Sequence, residues 1–392
     1  MNFLTPEQEM WRTTVARFID EEIGRDYIRK CDREREYPYE AYEKVAKQGW
    51  LGILFSEESG GLGGDIVDYA LMCEGLAKYG FDFSTGLMVA TFTAMNIEKF
   101  GTPEQKERYI QPFLDGDIRF SISISEPGAG SDAASTKTRA RRDGNGWVVK
   151  GQKLWCSGAK ADNAILAMLT RTDPDAPKHQ GISFFLMDMS TPGVEVRPLV
   201  QANGSTHFNE VFLTGVRIPA EQLVGDLHGG WGPARMVLAN EAAFIGRGGG
   251  STAHRLVELA RMFRRQDDPV IRQGLADAFI REQIIRLLGR RIRAALRHDG
   301  PTVVDPALTK VFAADSKARN GQLATAISGA AGVAGPDPVG RWVQAELINR
   351  FTISIGGGTT EVQKNNLAER SLGLPREPGI DRDTAWKDVP RS

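Results

Sequence analysis

The chain contains 392 residues, of which 41% are hydrophobic and 25% are charged, as is ordinary for a globular protein. A single hydrophobic core stops growing near ~250–300 residues, so we expect two or three domains. The 49 Lys and Arg residues balance 50 Asp and Glu residues, which excludes the positive surplus of a nucleic-acid-binding protein. Glycine is frequent, at 43 residues, so glycine-rich loops are the first segments to inspect.

Three cysteines, Cys31, Cys73 and Cys156, stand far apart without a CxxC pair, so we expect neither disulfides nor thiolate metal sites. The five histidines lack metal-ligand spacing, and we expect no metal. The first residues lack the apolar core of a signal peptide, and no apolar run reaches the ~18–20 residues of a membrane span. These patterns predict a cytoplasmic protein without membrane insertion.

The pattern of residues 1–118 predicts an N-terminal helical domain. Thr5 and Thr102 each precede Pro-Glu-Gln, a pattern in which Thr caps the helix, Pro takes its first position and Gln completes a capping box. Apolar residues at three- and four-residue spacing indicate further helices between them.

The pattern of residues 119–228 predicts a β-barrel-like middle domain. Serines alternate with Phe120, Ile122 and Ile124 at the two-residue period of a strand. Asp143-Gly144 is a strong hairpin signal. Other strand-like runs follow at residues 164–170, 182–187, 194–200 and 207–218.

The pattern of residues 229–392 predicts a C-terminal helical bundle. Together, the three parts predict an α+β multidomain fold. An apolar stripe runs from Ile280 to Ala295, and a parallel row of arginines indicates a solvated or subunit-facing surface. Thr360, with Gln363 as its partner, predicts the cap of a last helix that ends before Gly373.

The loop at residues 125–132 (SEPGAGSD) allows two interpretations. Gly128, Gly130 and Ala133 match the dinucleotide-binding pattern G-x-G-x-x-[GA] after a strand. The hairpin signal at Asp143 comes too early to leave room for the crossover helix of that fold, which excludes it. The other interpretation is a loop whose N–H and hydroxyl groups cradle an anionic, multiply hydrogen-bonding cofactor.

A second segment, residues 153–159 (KLWCSGA), places an aromatic ring two positions before a hydroxyl. In a strand, Trp155 and Ser157 would point to the same face. The indole could then cover a planar ring while the hydroxyl donates to a ring nitrogen.

Taken in order, these segments resemble the acyl-CoA dehydrogenase family. The resemblance includes the helical, β, helical order, the SEPGAGSD loop, the K-x-W-x-S segment, residues 356–363 (GGGTTEVQ) and residues 372–376 (LGLPR). It implies noncovalent FAD and dehydrogenation of an acyl-CoA thioester to the trans-2-enoyl-CoA. It further implies an electron-transfer flavoprotein as acceptor, and a homo-oligomer, dimeric or tetrameric, or a heteromer with a related subunit.

The resemblance also implies site residues. For the cofactor these are Ile122, Ser123, Ser125, Gly130, Ser131, Trp155, Ser157, Gly329, Thr359, Thr360 and Glu361. Ser131, Ala239 and Ala242 are implied for the substrate. The segment around Gly329 would reach FAD from the neighbouring subunit, and the last helix would receive the diphosphate arm at its N-terminus.

The catalytic base is the main departure from the family pattern. The best-known members carry Glu where this chain has Gly357, and Glu241 falls on the alternative position of a second group. Glu241 has apolar neighbours such as Leu238, which suits a general base, whereas an exposed helix glutamate is the alternative interpretation. Ala242 stands where that second group commonly carries Arg. These departures keep a non-catalytic partner subunit open, and an oxidase or monooxygenase on the same scaffold is a further alternative.

Glycines 246 and 248–250 follow Glu241 by one to two turns. They would widen an acyl pocket toward branched or ring-bearing groups if this helix lines it. A helix end or close helix packing explains them equally well.

Overall fold

The computed structural model describes residues 4–34, 36–77, 81–244, 252–297, 306–376, 378 and 383–390. The chain forms two compact units. The sheet unit comprises Leu4–Gln201, Ser205–Glu241 and Glu377–Ser392, and the helical unit comprises Ala202–Gly204 and Ala242–Arg376. The domain boundaries after residues 118 and 228 stay predictions.

The first part of the sheet unit is helical. Its α-helices are α1 (Pro6–Phe18), α2 (Arg25–Glu34), α3 (Tyr39–Lys47), α4 (Ile66–Ala77), α5 (Phe81–Phe100) and α6 (Pro103–Leu114). Both predicted capping boxes are present, since the N–H groups of Gln8 and Gln105 each lie 3.2 Å from the hydroxyl of Thr5 and Thr102, respectively. Local sequence therefore determines where α1 and α6 begin.

A mixed sheet follows within the described residues 81–244. Its strands are β1 (Arg119–Ser123), β2 (Arg139–Asp143), β3 (Gly146–Lys153), β4 (Ala164–Arg171), β5 (Ile182–Asp188), β6 (Val194–Pro198), β7 (Asn209–Pro219) and β8 (Leu223–Val224). Their order is β6-β7-β3-β2-β4-β5-β8, and β1 pairs in parallel with β4. Asp143 pairs with Gly146 across the predicted hairpin, in which Gly144 has a φ of 60°. After β1 comes the one-turn 3-10 helix Ala133–Ser135 and then β2, so the segment is not a dinucleotide-binding unit.

Strand β1 is buried on both faces. Ser121 and Ser123 are 0% and 1% exposed, and Phe120 on the opposite face is 3% exposed. The alternation in the sequence predicts a strand correctly, but it does not indicate a solvated serine face, because α5 packs on β1.

Helix α7 (Trp231–Phe244) begins in the sheet unit. The helical unit contains α8 (Thr252–Met262), α9 (Pro269–Arg297), α10 (Pro306–Ala334), α11 (Pro338–Ile355) and α12 (Thr360–Asn366), which continues as the π-helix Leu367–Ser371. Leu256, Ile271, Ala324 and Val343 lie in its buried core.

The predicted cap of α12 is wrong by one residue. Thr359 has extended backbone and its hydroxyl accepts the N–H of Val362 at 3.2 Å, which makes Thr359 the N-cap. The Gln363 side chain donates to the Gly357 carbonyl at 2.8 Å and thus fixes the turn before the helix instead of closing a capping box.

Candidate functional site

A backbone hydrogen bond joins the two motif segments of the sheet unit. The N–H of Leu154 donates to the carbonyl of Ser125 at 3.0 Å, just after β1 and β3 have ended. The loop at residues 125–132 and the segment at residues 153–157 therefore lie side by side. Ser125 and Trp155, which are 30 positions apart in the sequence, belong to one site.

A buried ion pair lies beneath this junction. Lys153 Nζ lies 2.8 Å from Glu126 Oε1, and the two side chains are 0% and 5% exposed. The same ammonium donates to Thr136 Oγ1 at 3.0 Å and to the Leu169 carbonyl at 2.5 Å. Glu126 also accepts the hydroxyl of Thr136 and the N–H groups of Lys137 at 2.7 Å and Thr138 at 3.0 Å.

The charge state of Glu126 follows from these contacts. Burial by itself would raise the pKa of the carboxyl, but the Lys153 ammonium and the hydrogen bonds outweigh burial and lower this pKa to about 2. Glu126 is therefore ionised at neutral pH. Its carboxylate fixes both ends of the loop, because the loop leaves at Glu126 and returns at Thr136.

Trp155 differs from the expectation that it lies in a strand. Strand β3 ends at Lys153, and Trp155 has a φ of 62°, in the left-handed region. The argument that Trp155 and Ser157 share a strand face therefore fails. Lys153 pairs with Val211 of β7 and Cys156 with Asn209, so this chain has one residue more than β7 between the two pairs, and the left-handed backbone of Trp155 accommodates the extra residue. The indole is 53% exposed and packs edge-on against Phe208, with ring centroids 5.4 Å apart.

Cys156 anchors this turn in the core. Its N–H and carbonyl pair with the backbone of Asn209 at 3.0 and 3.2 Å, and its thiol donates to Ser123 Oγ at 3.3 Å. Burial raises the pKa of the thiol to about 11, so Cys156 is a neutral structural residue. Ser157, which follows it, is 8% exposed.

Polar groups beside Trp155 are available to a ligand. Gly130 and Ser131 are exposed, and no described residue hydrogen-bonds their N–H groups. Within the described part of the chain, the hydroxyls of Ser125, Ser131 and Ser157 likewise have no partner. A Cβ placed on Gly130 would meet nothing within 4 Å, so the loop is open on this side.

The two remaining predicted cofactor residues of the sheet unit lie on β1. Ile122 is half-buried and pairs in register with Ala167, whereas Ser123 is buried against Cys156. Ile122 has the more accessible position of the two. The hydroxyl of Ser123 contacts the protein interior.

The predicted base lies on α7. The first turn of this helix is anchored to the sheet by the Gly230 N–H, which donates to the Ile182 carbonyl at 2.9 Å. Glu241 is half-buried and lies ten residues beyond Trp231, about 15 Å along the helix axis. Ala239 is exposed, and Ala242 continues the helix with a side chain outside the described part. Glycines 246 and 248–250 lie outside the described residues.

The helical unit holds the other residues that the sequence predicts for the cofactor. Gly329 interrupts α10 with a φ of 55° and a ψ of −141°, and it is exposed with open space around its Cα. Such backbone is almost restricted to glycine. Thr360 donates to the Ser354 carbonyl at 3.4 Å, Thr359 is occupied as the N-cap, and Glu361 is exposed.

A buried lysine and Gln363 hold the glycine turn before α12. Lys310 is 1% exposed and its ammonium donates to the Gly358 carbonyl. Gly357 and Gly358 have φ values of 63° and 87°. The other position at which the resemblance places a base, residue 357, is thus part of a left-handed turn whose carbonyls are already bound.

These residues fit FAD. The exposed indole offers an apolar face to a planar ring, and the free hydroxyls and N–H groups of the adjoining loop suit the polar edge of an isoalloxazine and a diphosphate. Among the described residues, no cluster of three or more His, Cys, Asp or Glu side chains suits a metal, and no helix has the length and hydropathy needed to cross a membrane.

Sequence reasoning missed the residues that hold the site together. Glu126 and Lys153 lie within the two motif segments, but nothing in the sequence around them indicates that their charged side chains are buried. Phe208 gave no local signal, because its contact with Trp155 depends on the long-range pairing of Cys156 with Asn209.

Comparison with known families and structures gives consistent matches. Three domain models of the acyl-CoA dehydrogenases match the chain: the N-terminal domain at residues 5–117, the middle domain at residues 121–216 and the C-terminal domain at residues 228–372. Acyl-CoA dehydrogenase FadE29 of Mycobacterium tuberculosis is 31% identical over 387 residues, which cover 96% of this chain and 99% of the relative. Acyl-CoA dehydrogenase FadE34 of the same organism is 36% identical over 292 residues, or 74% of this chain, but the match spans only 40% of that relative's length.

Two solved structures are also similar. The steroid ACAD Tcur3481-Tcur3483 has a TM-score of 0.82 at 29% identity, covering 96% of this chain and 100% of the other. The ChsE4-ChsE5 complex from Mycobacterium tuberculosis has a TM-score of 0.80 at 26% identity, covering 95% of this chain and 99% of the other.

Proposed function

The chain belongs to the acyl-CoA dehydrogenase family, and we propose that it is a catalytic member that converts an acyl-CoA thioester to the trans-2-enoyl-CoA and passes the electrons to an electron-transfer flavoprotein. The predicted family, the α+β fold of helical, β and helical parts, the oxidoreductase class and FAD as cofactor are confirmed. The acyl group, the electron acceptor, the assembly, the cytoplasmic location and the role of each residue are part of the proposal.

One observation carries the proposal. The exposed Trp155 indole and the unpartnered donors of Gly130 and Ser131 are joined through the hydrogen bond from Leu154 to Ser125. A flat apolar face next to free polar donors suits a flavin better than it suits a sugar or a peptide. We assign Ser125, Trp155 and the nearly buried Ser157 to the ring, and Ser131 also to the CoA portion of the substrate.

Glu241 is the proposed base. When bound, FAD supplies the hydride acceptor for the β-hydrogen. Glu241 takes the α-proton onto its carboxylate, and its half-buried position on α7 limits competition from water. The other predicted carboxyl position, at residue 357, is occupied by glycine, which cannot accept a proton.

The test is anaerobic bleaching of the flavin by acyl-CoA in the wild type and in Glu241→Gln. We expect the variant to bleach at least about 10²-fold more slowly, because a positioned general base contributes that much or more. Glu258→Gln is a matched control on α8, since its carboxylate is exposed and lies 3.2 Å from His254 Nε2 one turn away on the same helix. Equal rates in wild type and Glu241→Gln would exclude Glu241 as the base.

For the substrate, we propose an acyl group with a bulky or ring-bearing portion. The glycines at 246 and 248–250 support this, as does the likeness to a structure named a steroid ACAD. The measurement is kcat/KM for butyryl-, octanoyl-, branched-chain and ring-bearing acyl-CoA. Equal turnover of all four classes would remove the basis for the proposal.

A second candidate is a non-catalytic partner subunit of a heteromer. The likeness to the ChsE4-ChsE5 complex and the glycine at position 357 favour it. Ile280 and Leu287 of the predicted apolar stripe are 54% and 53% exposed, which suits a subunit-facing surface for a second copy or a related chain. If the purified chain carries FAD but never bleaches with any acyl-CoA, this candidate replaces the catalytic one. Peroxide formed in air during turnover would favour an oxidase.

A further inference from the structure

Residues 383–390, which we call the strap, lie against the loop that joins β4 to β5 (residues 172–181). Ala385 forms an isolated antiparallel bridge with Pro177. The N–H of Trp386 donates to the Ala176 carbonyl at 2.9 Å. Lys387 Nζ lies 2.6 Å from Asp175 Oδ1. Backbone and side-chain contacts thus seat the strap in one register.

The strap covers a buried arginine. Arg171, the last residue of β4, is 0% exposed. Its guanidinium donates to the Lys178 carbonyl at 2.9 Å and to the Ala134 carbonyl at 2.5 Å. The Trp386 ring, itself 7% exposed, lies 4.6 Å from the guanidinium carbon. The indole therefore covers the charge from one side, where water would otherwise compete for its hydrogen bonds.

Arg171 in turn holds the loop of the candidate site. Ala134 lies in the 3-10 turn Ala133–Ser135, three residues after Ser131. Beside it, Lys178 Nζ of the β4–β5 loop pairs with Asp132 Oδ2 at 3.0 Å, so strand β4 and the loop that follows it each contact this segment through a side chain. Glu126 holds both ends of the site loop together, and Arg171 adds a hydrogen bond to its returning end at Ala134.

We propose that Trp386 is a positioning residue for the substrate arm of the site. By keeping water from Arg171, it holds the Ala134 carbonyl in place, and through Ala134 it keeps Ser131 and Asp132 oriented toward the CoA portion of the thioester. The proposal rests on the assignment of Ser131 to that portion. Trp386 would thus affect the affinity for the substrate and leave the flavin ring contacts at Trp155 unaffected.

The experiment compares the full-length wild type with Trp386→Ala. We expect KM for the acyl-CoA to rise roughly tenfold, as the loss of a desolvated cation–π contact implies, with kcat within about twofold. FAD affinity should fall less than substrate affinity, because Gly130 and Ser131 also belong to the proposed flavin site but the segment of Trp155 and Ser157 is untouched. Trp386→Phe keeps an aromatic face and should retain a KM near that of the wild type. Trp386→Leu keeps apolar volume without the aromatic face, and it serves if the alanine variant does not fold. An unchanged KM, or a parallel loss of kcat and FAD, overturns the proposal.

A second readout does not depend on turnover. In amide hydrogen exchange of the FAD-loaded chain, Trp386→Ala should speed exchange at residues 130–135 about tenfold and leave residues 153–157 unchanged. Trp342→Ala is the matched control, because it removes another indole that lies over an arginine, Arg255 at 5.1 Å, in the helical unit. If the wild type turns over no acyl-CoA, the proposed function fails, but hydrogen exchange still tests whether Trp386 positions residues 130–135. Unchanged exchange at these residues in Trp386→Ala would overturn that positioning role.

Discussion

Lys153 Nζ lies 2.8 Å from Glu126 Oε1, and both side chains are buried. Each residue belongs to a different motif segment, so this ion pair holds the two halves of the flavin site together. Burying an ion pair costs free energy because both charges lose their water. Removing one partner costs more, because the other charge then stays buried and unpaired.

Lys153→Met should therefore destabilise the protein strongly. We expect the free energy of unfolding, measured by chemical denaturation of the apoprotein, to fall by about 3–5 kcal/mol. The double variant Lys153→Met/Glu126→Gln removes the orphaned charge and should recover part of the loss. If the double variant were no more stable than the single one, the pair would not be coupled as its geometry indicates.

The ion pair between Glu126 and Lys153 also affects how the free energy of unfolding depends on pH. The pKa of Glu126 is about 2 in the folded chain, against an ordinary value of 4.5. The unfolded chain therefore binds more protons between these values, so the stabilisation is complete above about pH 4.5 and is lost as the pH falls through about 2. Urea unfolding at several pH values should show a steeper decline in this window for the wild type than for Glu126→Gln. Parallel declines would contradict the lowered pKa.

Trp155→Ala should weaken FAD binding more than it weakens the fold. The indole is 53% exposed, so the free energy of unfolding of the apoprotein should change by about 1 kcal/mol or less. The Kd for FAD, followed by flavin fluorescence, should rise about tenfold because the stacking face is lost. Leu62→Ala removes an equally exposed apolar side chain, also 53%, and serves as the control. An unchanged Kd would remove Trp155 from the flavin site.

Gly329→Ala should lower the free energy of unfolding although the space around this residue is open. Its φ of 55° and ψ of −141° disfavour any residue with a Cβ, so we expect a loss of about 1–3 kcal/mol in the free energy of unfolding. Gly130→Ala is the matched control, since its Cβ also meets nothing within 4 Å and its φ is not in the left-handed region. Thermal unfolding of both variants distinguishes backbone strain from crowding. Equal melting temperatures would show that no strain exists at Gly329.

Gly357→Glu should fail to supply a second base. Residue 357 has a φ of 63° in a turn whose carbonyl is bound by Gln363, so a glutamate there is strained by about 1–2 kcal/mol and its direction is set by the turn. In the Glu241→Gln background, we expect the added carboxyl not to restore flavin bleaching. Gly356→Glu, at a φ of −60°, carries the same charge without the strain and controls for stability. Restored bleaching would show that the turn can still present a base.

The sequence predicts the features of this chain that depend on near neighbours. The capping boxes at Thr5 and Thr102 and the Asp143-Gly144 hairpin are confirmed, because each depends on residues within one turn. The prediction that Trp155 lies in a strand is wrong, because its backbone conformation depends on the pairing of Cys156 with Asn209, 53 positions further along the chain.

The same distinction applies to the candidate site. The loop at residues 125–132 and Trp155 could be selected from residue types, since glycine, hydroxyl and indole groups have recognisable chemistry. The side chains that hold them in place, Glu126, Lys153 and Arg171, could not, because long charged side chains are usually exposed and only the fold shows them buried. The role of Glu241 stays a prediction.

The ion pair between Lys153 and Glu126 also bears on the order of events during folding. The two residues are 27 positions apart, and β1, β3 and β4 must come together before the ammonium can reach both the carboxylate and the Leu169 carbonyl. Closing contacts of this separation is among the slower steps of folding. A chain in which only the local helices and the hairpin have formed has no flavin-binding loop, so uptake of FAD during refolding would report the completion of the sheet.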